Sequence, residues 1–129
     1  YDCAGGNGGV YDLAKVYTDG SSESNYGKSG MERWFGASAT KANSPNFMAD
    51  RIQIPILLAA GDEDDTAPIA HSNQMNDALK RYGKPVEYII YKKEGHGNYL
   101  LKNCIDFANH LLDFLDRNIG PASRKAKAN

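Results

Sequence analysis

Two short loops carry the residues whose types could do chemistry together. One is Gly61-Asp62-Glu63-Asp64-Asp65-Thr66-Ala67-Pro68 and the other is Glu94-Gly95-His96-Gly97. Each follows an apolar run that reads as a strand. In a parallel sheet the loops leaving the carboxyl ends of neighbouring strands converge, with the strands ~4.8 Å apart. An acid and a histidine are thereby delivered to one edge. A carboxylate beside an imidazole fixes its tautomer and stabilises its protonated form, which is what a general base needs to activate a hydroxyl nucleophile. Taken alone, an acidic cluster before a helix is more often an N-cap and a complement to the helix dipole. A lone histidine is likewise usually structural, and His71 and His110, inside expected helices, are assigned that role. His96 differs because glycines flank it at a strand exit, where small neighbours let a side chain project into a cleft.

The elements behind these loops follow from apolar spacing. Ile54-Pro55-Ile56-Leu57-Leu58-Ala59-Ala60-Gly61 is a continuous apolar run closed by glycine, the pattern of a strand buried on both faces. Met75, Ala78, Leu79 and Tyr82 fall on one helical face, with Pro68 before them and Gly83 and Pro85 after. Val86 to Lys93 reads as a second strand, and Leu101, Ile105, Ala108, Leu112, Leu115 and Ile119 mark the longest helix, stopped by Gly120-Pro121. Residues 54–119 are thus a βαβα unit of an α/β fold, its two strands parallel. The first half is less regular. A glycine-dense run from Cys3 to Val10 is a doubtful strand, Tyr11 to Tyr17 a short helical pattern, and Thr18 to Gly30 a Ser/Gly/Asn loop. Met31 to Phe35 gives one or two helical turns, and Ser44-Pro45 to Asp50 an irregular approach to the strong strand. At most three parallel strands fall short of the five or six such sheets usually have, so the chain reads as the C-terminal portion of a larger doubly wound domain.

Other chemistries are excluded one at a time. Fifteen Lys and Arg against sixteen Asp and Glu leave no basic footprint for nucleic acid or anionic membranes. The longest apolar run is far below the ~20 residues of a membrane helix, and the composition is that of a soluble chain. Cys3 and Cys104 have no partners at zinc spacing and read more readily as buried thiols than as a pair, and the contiguous acids lack the spacing of a calcium loop. Gly5-Gly6-Asn7-Gly8-Gly9 does not make a dinucleotide fingerprint. Gly27-Lys28-Ser29 copies the end of a phosphate loop, but Ser22 stands where its first glycine is required. Neither cofactor nor metal is expected. No Gly-x-Ser-x-Gly occurs, so an acid and a histidine are present without the serine that would complete a triad.

Ser44-Pro45, Ala49-Asp50-x-Ile52-x-x-Pro55, the strand ending Gly61-Asp62-Glu63-Asp64-Asp65, Ala78-Leu79, Gly83-Lys84-Pro85-Val86-Glu87 and Glu94-Gly95-His96-Gly97 occur in this order. Together, across roughly residues 3 to 118, they resemble the end of the catalytic domain in the prolyl oligopeptidase family of serine peptidases, which includes acylaminoacyl and dipeptidyl peptidases. The resemblance implies an α/β-hydrolase fold and hydrolysis of short or acylated peptides through an acyl-enzyme. It implies a chain order of Ser, then Asp, then His. It places the aspartate at the third residue after the strand-closing glycine, Asp64, with Asp65 as runner-up, and the histidine at His96. It suggests Tyr26, in Asn25-Tyr26-Gly27, as a lining residue of the pocket for the residue before the scissile bond.

The implied partners are a peptide substrate, the upstream half that bears the nucleophile, and a β-propeller. Residues 1–120 are then the hydrolase portion and 121–129 a disordered tail. The isolated chain is expected to be inactive and, with sheet edge and apolar surface uncovered, to associate with itself. Two other readings stand beside this one, a carboxylesterase-like hydrolase on the same fold and a non-catalytic interaction module. The compartment is left open.

Overall fold

The structure is a computed structural model of the chain and describes residues 1–15, 18, 25–36, 40–121 and 123, with backbone alone at 25–28 and 31. Its strands are β1 (Ala4–Asn7), β2 (Ile56–Gly61) and β3 (Val86–Tyr91), and its helices are α1 (Asn25–Trp34), α2 (Ile69–Arg81) and α3 (Leu101–Ile119). Short 3-10 turns at Leu13–Lys15, Lys41–Asn43, Pro45–Phe47 and Ala49–Arg51 link the first half together.

All six residues of β2 are buried because it is the central strand of a parallel sheet ordered β1-β2-β3. Gly5 pairs with Leu57 and Leu57 with Glu87, so the three strands run in register to a common carboxyl edge. On one face, Ile56 and Leu58 pack with Met75, Ala78 and Leu79 of α2 and with Ala49, and Tyr11, Ile52, Val86 and Tyr88 close over them. Each fully buried aliphatic side chain there contributes about 1.5–3 kcal/mol relative to exposure. On the other face lies α3, whose Leu111 approaches Gly5 and whose Phe114 is buried. β3 is fastened to both layers. Tyr88 donates to Asn73 Oδ1 in α2 at 2.8 Å, and Tyr91 donates to Asp106 Oδ2 in α3 at 2.8 Å. Burial, then the neighbouring Tyr11 and Asp77, push Tyr88 up to about 12. Burial and the Asp106 carboxylate likewise hold Tyr91 well above the usual phenol range.

The Ser44-Pro45 pair anchors the irregular segment. The buried Ser44 hydroxyl accepts from Leu13 N–H and donates to the Thr40 carbonyl, both at 2.8 Å. This ties the turn after β1 to the approach to β2. Cys3 and Cys104 are free thiols, both half-buried. Among the described residues no helix is long and apolar enough to cross a membrane.

Three expectations change. The doubtful glycine-rich run does contain a strand, β1, and the Tyr11 ring folds back over Gly6 and Gly9 into the space their side chains would fill. The Thr18 to Gly30 loop is too long, because α1 begins at Asn25. Gly27 and Gly30 inside that helix, each costing about 1 kcal/mol relative to alanine, are what disguised it. Finally, the apolar stripe that marks α3 is not the face that packs. Leu101, Ile105 and Leu112 are 74%, 54% and 63% exposed, whereas Phe114 is 1% exposed. The helix carries two apolar stripes, and the less exposed one runs through Cys104, Phe107, Leu111 and Phe114. Most of segment 121–129, and the 16–17 end of the early helical pattern, lie outside the described residues.

Candidate active site

The carboxyl ends of β2 and β3 are bound loop to loop. Gly61 ends β2 so close to the next loop that a Cβ there would collide with the carbonyl oxygens of Glu94 and Gly95, so only glycine permits the approach. The acidic residues that follow then divide the work. Asp62 Oδ1 accepts Lys93 N–H at 2.6 Å and its Oδ2 lies 3.1 Å from Lys92 Nζ. This holds the turn in which Lys93 takes a left-handed φ of 59°. Burial pushes the Asp62 carboxyl up, but the hydrogen bond and charge of Lys92 and the backbone N–H of Lys93 outweigh it and hold the group below the usual range. Glu63 N–H donates to the Glu94 carbonyl at 2.9 Å, a second tie.

Asp64 is the third tie. Its side chain is fully buried, and Oδ1 accepts the N–H groups of Thr66 and Ala67 at 2.9 and 2.7 Å, an Asx turn leading into α2. That leaves Oδ2 free to face His96 Nδ1 at 3.0 Å. The tautomer in which Nδ1 donates to a carboxylate here leaves Nε2 as the acceptor. The imidazole is 45% exposed. The end of β1 covers the pair: Gly8, at φ 61°, donates its N–H to the Ala59 carbonyl, and a Cβ on it would sit 3.1 Å from both Asp64 Oδ2 and His96 Nδ1. The arrangement is a buried acid against a half-exposed imidazole, a pair suited to taking a proton from a hydroxyl and returning it to a leaving group.

The other candidates fall away from this centre. Asp65 is exposed and its carboxylate reaches only the Thr66 hydroxyl, at 3.5 Å. Tyr26 has a described backbone in α1, while its side chain lies outside the described residues. His71 is buried in α2 beside Asp12, and His110 lies on the outer surface of α3, 3.3 Å from Asp106. No cluster of three or more His, Cys, Asp or Glu side chains among the described residues could hold a metal ion. A cleft of about 410 Å³ lined by Tyr1, Gln53, Ile54, Pro55 and Arg117 sits near the amino end of the sheet. In an open α/β sheet ligands bind at the carboxyl ends, where Asp64 and His96 are. The roles of Gly8 and Asp62 were not legible in the sequence. The available signals were a glycine run longer than a strand tolerates and an acid directly after the strand-closing glycine.

Residues 1–122 match the family described as the prolyl oligopeptidase family. Dipeptidyl peptidase family member 6 of Caenorhabditis elegans is 34% identical over 85 residues, 66% of this chain and 12% of that protein. The solved structure of Pyrococcus horikoshii acylaminoacyl peptidase superimposes with a TM-score of 0.79 at 22% identity, over 94% of this chain and 20% of that one, a likeness of fold. A puromycin-hydrolyzing peptidase of Mycobacterium tuberculosis gives a TM-score of 0.76 at 26% identity, over 93% and 19%. The chain therefore spans between 12% and 20% of the length of these relatives. The parallel sheet, α2 and α3 on its opposite faces, and the acid and histidine loops at its carboxyl edge are accordingly a portion of an α/β-hydrolase fold, and the chain belongs to the prolyl oligopeptidase family.

Proposed function

We propose that the protein carrying this chain is a serine-type peptidase in which His96 is the general base and then the general acid, and Asp64 orients it. The observation that supports this most directly is the 3.0 Å contact between Asp64 Oδ2 and His96 Nδ1, with Asp64 pinned from behind by two backbone amides. The nucleophilic serine belongs to a segment outside residues 1–129, since no serine of this sequence stands in a Gly-x-Ser-x-Gly elbow. In the reaction, His96 Nε2 takes the serine hydroxyl proton as the oxygen bonds to the substrate carbonyl carbon. The tetrahedral intermediate then expels the amine, which leaves with that proton, and the acyl-enzyme remains. Water repeats the sequence, giving its proton to Nε2 and releasing the acid and the free serine. The Asp64 carboxylate stabilises the imidazolium at each stage without itself taking the proton.

Short or N-acylated peptides are the substrates this reading favours, because the relatives carry the names dipeptidyl peptidase, acylaminoacyl peptidase and puromycin-hydrolyzing peptidase. A carboxylesterase would use the same two residues, and the amide-cleaving names weigh against it. The isolated chain, lacking the serine, is inactive on this reading. The test is hydrolysis of dipeptidyl and N-acetyl-aminoacyl chromogenic amides by the longest native polypeptide that contains this sequence. His96→Ala is expected to reduce kcat by about 10³-fold or more, the usual loss for a triad member. Retention of more than about a tenth of the activity would remove His96 from the mechanism.

A further inference from the structure

Two residues before His96, in the same loop, lies Glu94. Glu94 is completely buried, and its carboxylate accepts three hydrogen bonds from the start of α3. Oε2 accepts Tyr99 N–H at 2.8 Å, and Oε1 accepts Leu100 N–H at 3.1 Å and Asn103 Nδ2 at 2.6 Å. The first amides of a helix have no partner within it, and the capping position here is Leu100, whose side chain can offer none. Glu94 therefore fastens the cap residue Leu100 and Tyr99 before it from upstream, a negative group at the positive end of a 19-residue helix.

The cap closes a ring from residue 94 to residue 100, and His96 sits on its crown. Gly95 and Gly97, the latter at φ 85°, give the crown little stiffness of its own. Two weaker ties draw the middle of the ring to the same helix: Asn98 Nδ2 donates to the Asn103 carbonyl at 3.3 Å, and Cys104 Sγ to the Asn98 carbonyl at 3.0 Å. At the other end, the Glu94 carbonyl accepts Glu63 N–H, next to Asp64. One residue thus joins the acid loop through its backbone and α3 through its side chain, with His96 between the two anchors.

From this geometry we infer that Glu94, with Asn103, is a positioning residue that aims His96 Nε2, resting on the reading of His96 as the general base. Its carboxylate is taken up by the Tyr99 and Leu100 amides and Asn103 Nδ2, so it acts through placement of the ring and has no direct part in proton transfer. Glutamine at 94 would keep one acceptor and turn an NH₂ group toward a donor, loosening the ring while leaving its volume unchanged.

The experiment compares the wild type, Glu94→Gln, Asn103→Ala and His96→Ala in the longest native polypeptide, each first matched for folded fraction by circular dichroism and thermal melting. Glu94→Gln and Asn103→Ala are expected to lower kcat by about tenfold or more with KM changed less than about twofold, since catalysis is more sensitive than binding to small misplacements of a reacting group. Folded Glu94→Gln and Asn103→Ala proteins with wild-type kcat would overturn the inference, as would losses of kcat and KM explained wholly by a smaller folded fraction. His96→Ala separates the two levels. If that variant stays active the catalytic reading itself fails, whereas if it is inactive and Glu94→Gln is fully active only the positioning role fails.

Discussion

Replacing Gly8 by alanine perturbs the Asp64–His96 contact with a single methyl group. The new Cβ would lie 3.1 Å from Asp64 Oδ2, 3.1 Å from His96 Nδ1 and 3.2 Å from His96 Cε1, against 3.4 Å for the near limit of ordinary contact. Something must yield by about 0.3 Å. Asp64 cannot, because its side chain is fully buried and its other oxygen is held by Thr66 and Ala67 at 2.9 and 2.7 Å. His96 can, because it is 45% exposed and its loop is flexible on either side. The imidazole is therefore expected to swing away, stretching a hydrogen bond that starts at 3.0 Å toward the length at which it ceases to be one. A displacement of ~1 Å can cost ~100-fold in rate, so about 0.3 Å corresponds to about fourfold in kcat. Alanine at φ 61° adds about 1–2 kcal/mol of backbone strain, seen as a lower melting temperature. Gly5→Ala is the matched control. In β1, three residues earlier, a Cβ on Gly5 meets nothing nearer than 3.7 Å, so activity should be unchanged. Steady-state kinetics on a chromogenic peptide amide give the comparison. Full kcat in Gly8→Ala, or an equal loss in Gly5→Ala, would refute the reasoning.

Asp64→Asn should preserve the turn into α2, because an amide oxygen can still accept from Thr66 and Ala67. Its NH₂ would then face Nδ1 and reverse the imidazole tautomer, with kcat expected to fall by about 10³–10⁴-fold at nearly unchanged thermal stability; a loss below tenfold contradicts the assigned orientation. Acid stability should report Glu94 and Asp62. Burial pushes the Glu94 carboxyl up, but the bonds from Tyr99, Asn103 and Leu100 and the charge of Lys102 outweigh it, and Asp62 is lowered by Lys92 and Lys93. Carboxyls lowered on folding contribute stability that is present above their unfolded range, about pH 4, and lost as pH falls through the folded values. Melting temperature should therefore fall steeply only below about pH 4, and Glu94→Gln should make that fall shallower; an unchanged slope would count against the three-bond cap. Phe114→Ala, which empties the 1%-exposed contact of α3 with the sheet, should cost about 3–5 kcal/mol in urea unfolding, and a cost under about 1 kcal/mol would mean that α3 is held by other contacts.

How much could be read in advance depended on how local the cause was. β2 and α2 were legible because burial on both faces leaves an unbroken apolar run, and packing on one face leaves Met75, Ala78 and Leu79 at helical spacing. The meeting of the two loops also followed from order alone, since parallel strands place their exits at one edge. What the sequence concealed depends on contacts distant in the chain. The glycines in and just after β1 make sense only once Tyr11 lies over Gly6 and Gly9 and the acid–imidazole pair lies against Gly8. The four acids from Asp62 to Asp65 look alike in sequence, yet one clamps the Lys92-Lys93 turn, one ties backbone to backbone, one meets His96 Nδ1 and one is exposed. In α3 two apolar stripes compete, and periodicity cannot tell which one meets β2. The exposed stripe through Leu101, Ile105 and Leu112 is comparably apolar.

The central claim is that His96 serves a serine outside this chain. It is tested most directly by reacting the longest native polypeptide with a fluorophosphonate probe, with wild-type and His96→Gln proteins side by side, and mapping the labelled peptide by mass spectrometry. The expected result is a single labelled serine outside residues 1–129 whose labelling rate falls at least about 100-fold in His96→Gln. Labelling of a serine within these 129 residues, or a rate indifferent to His96, would contradict the account.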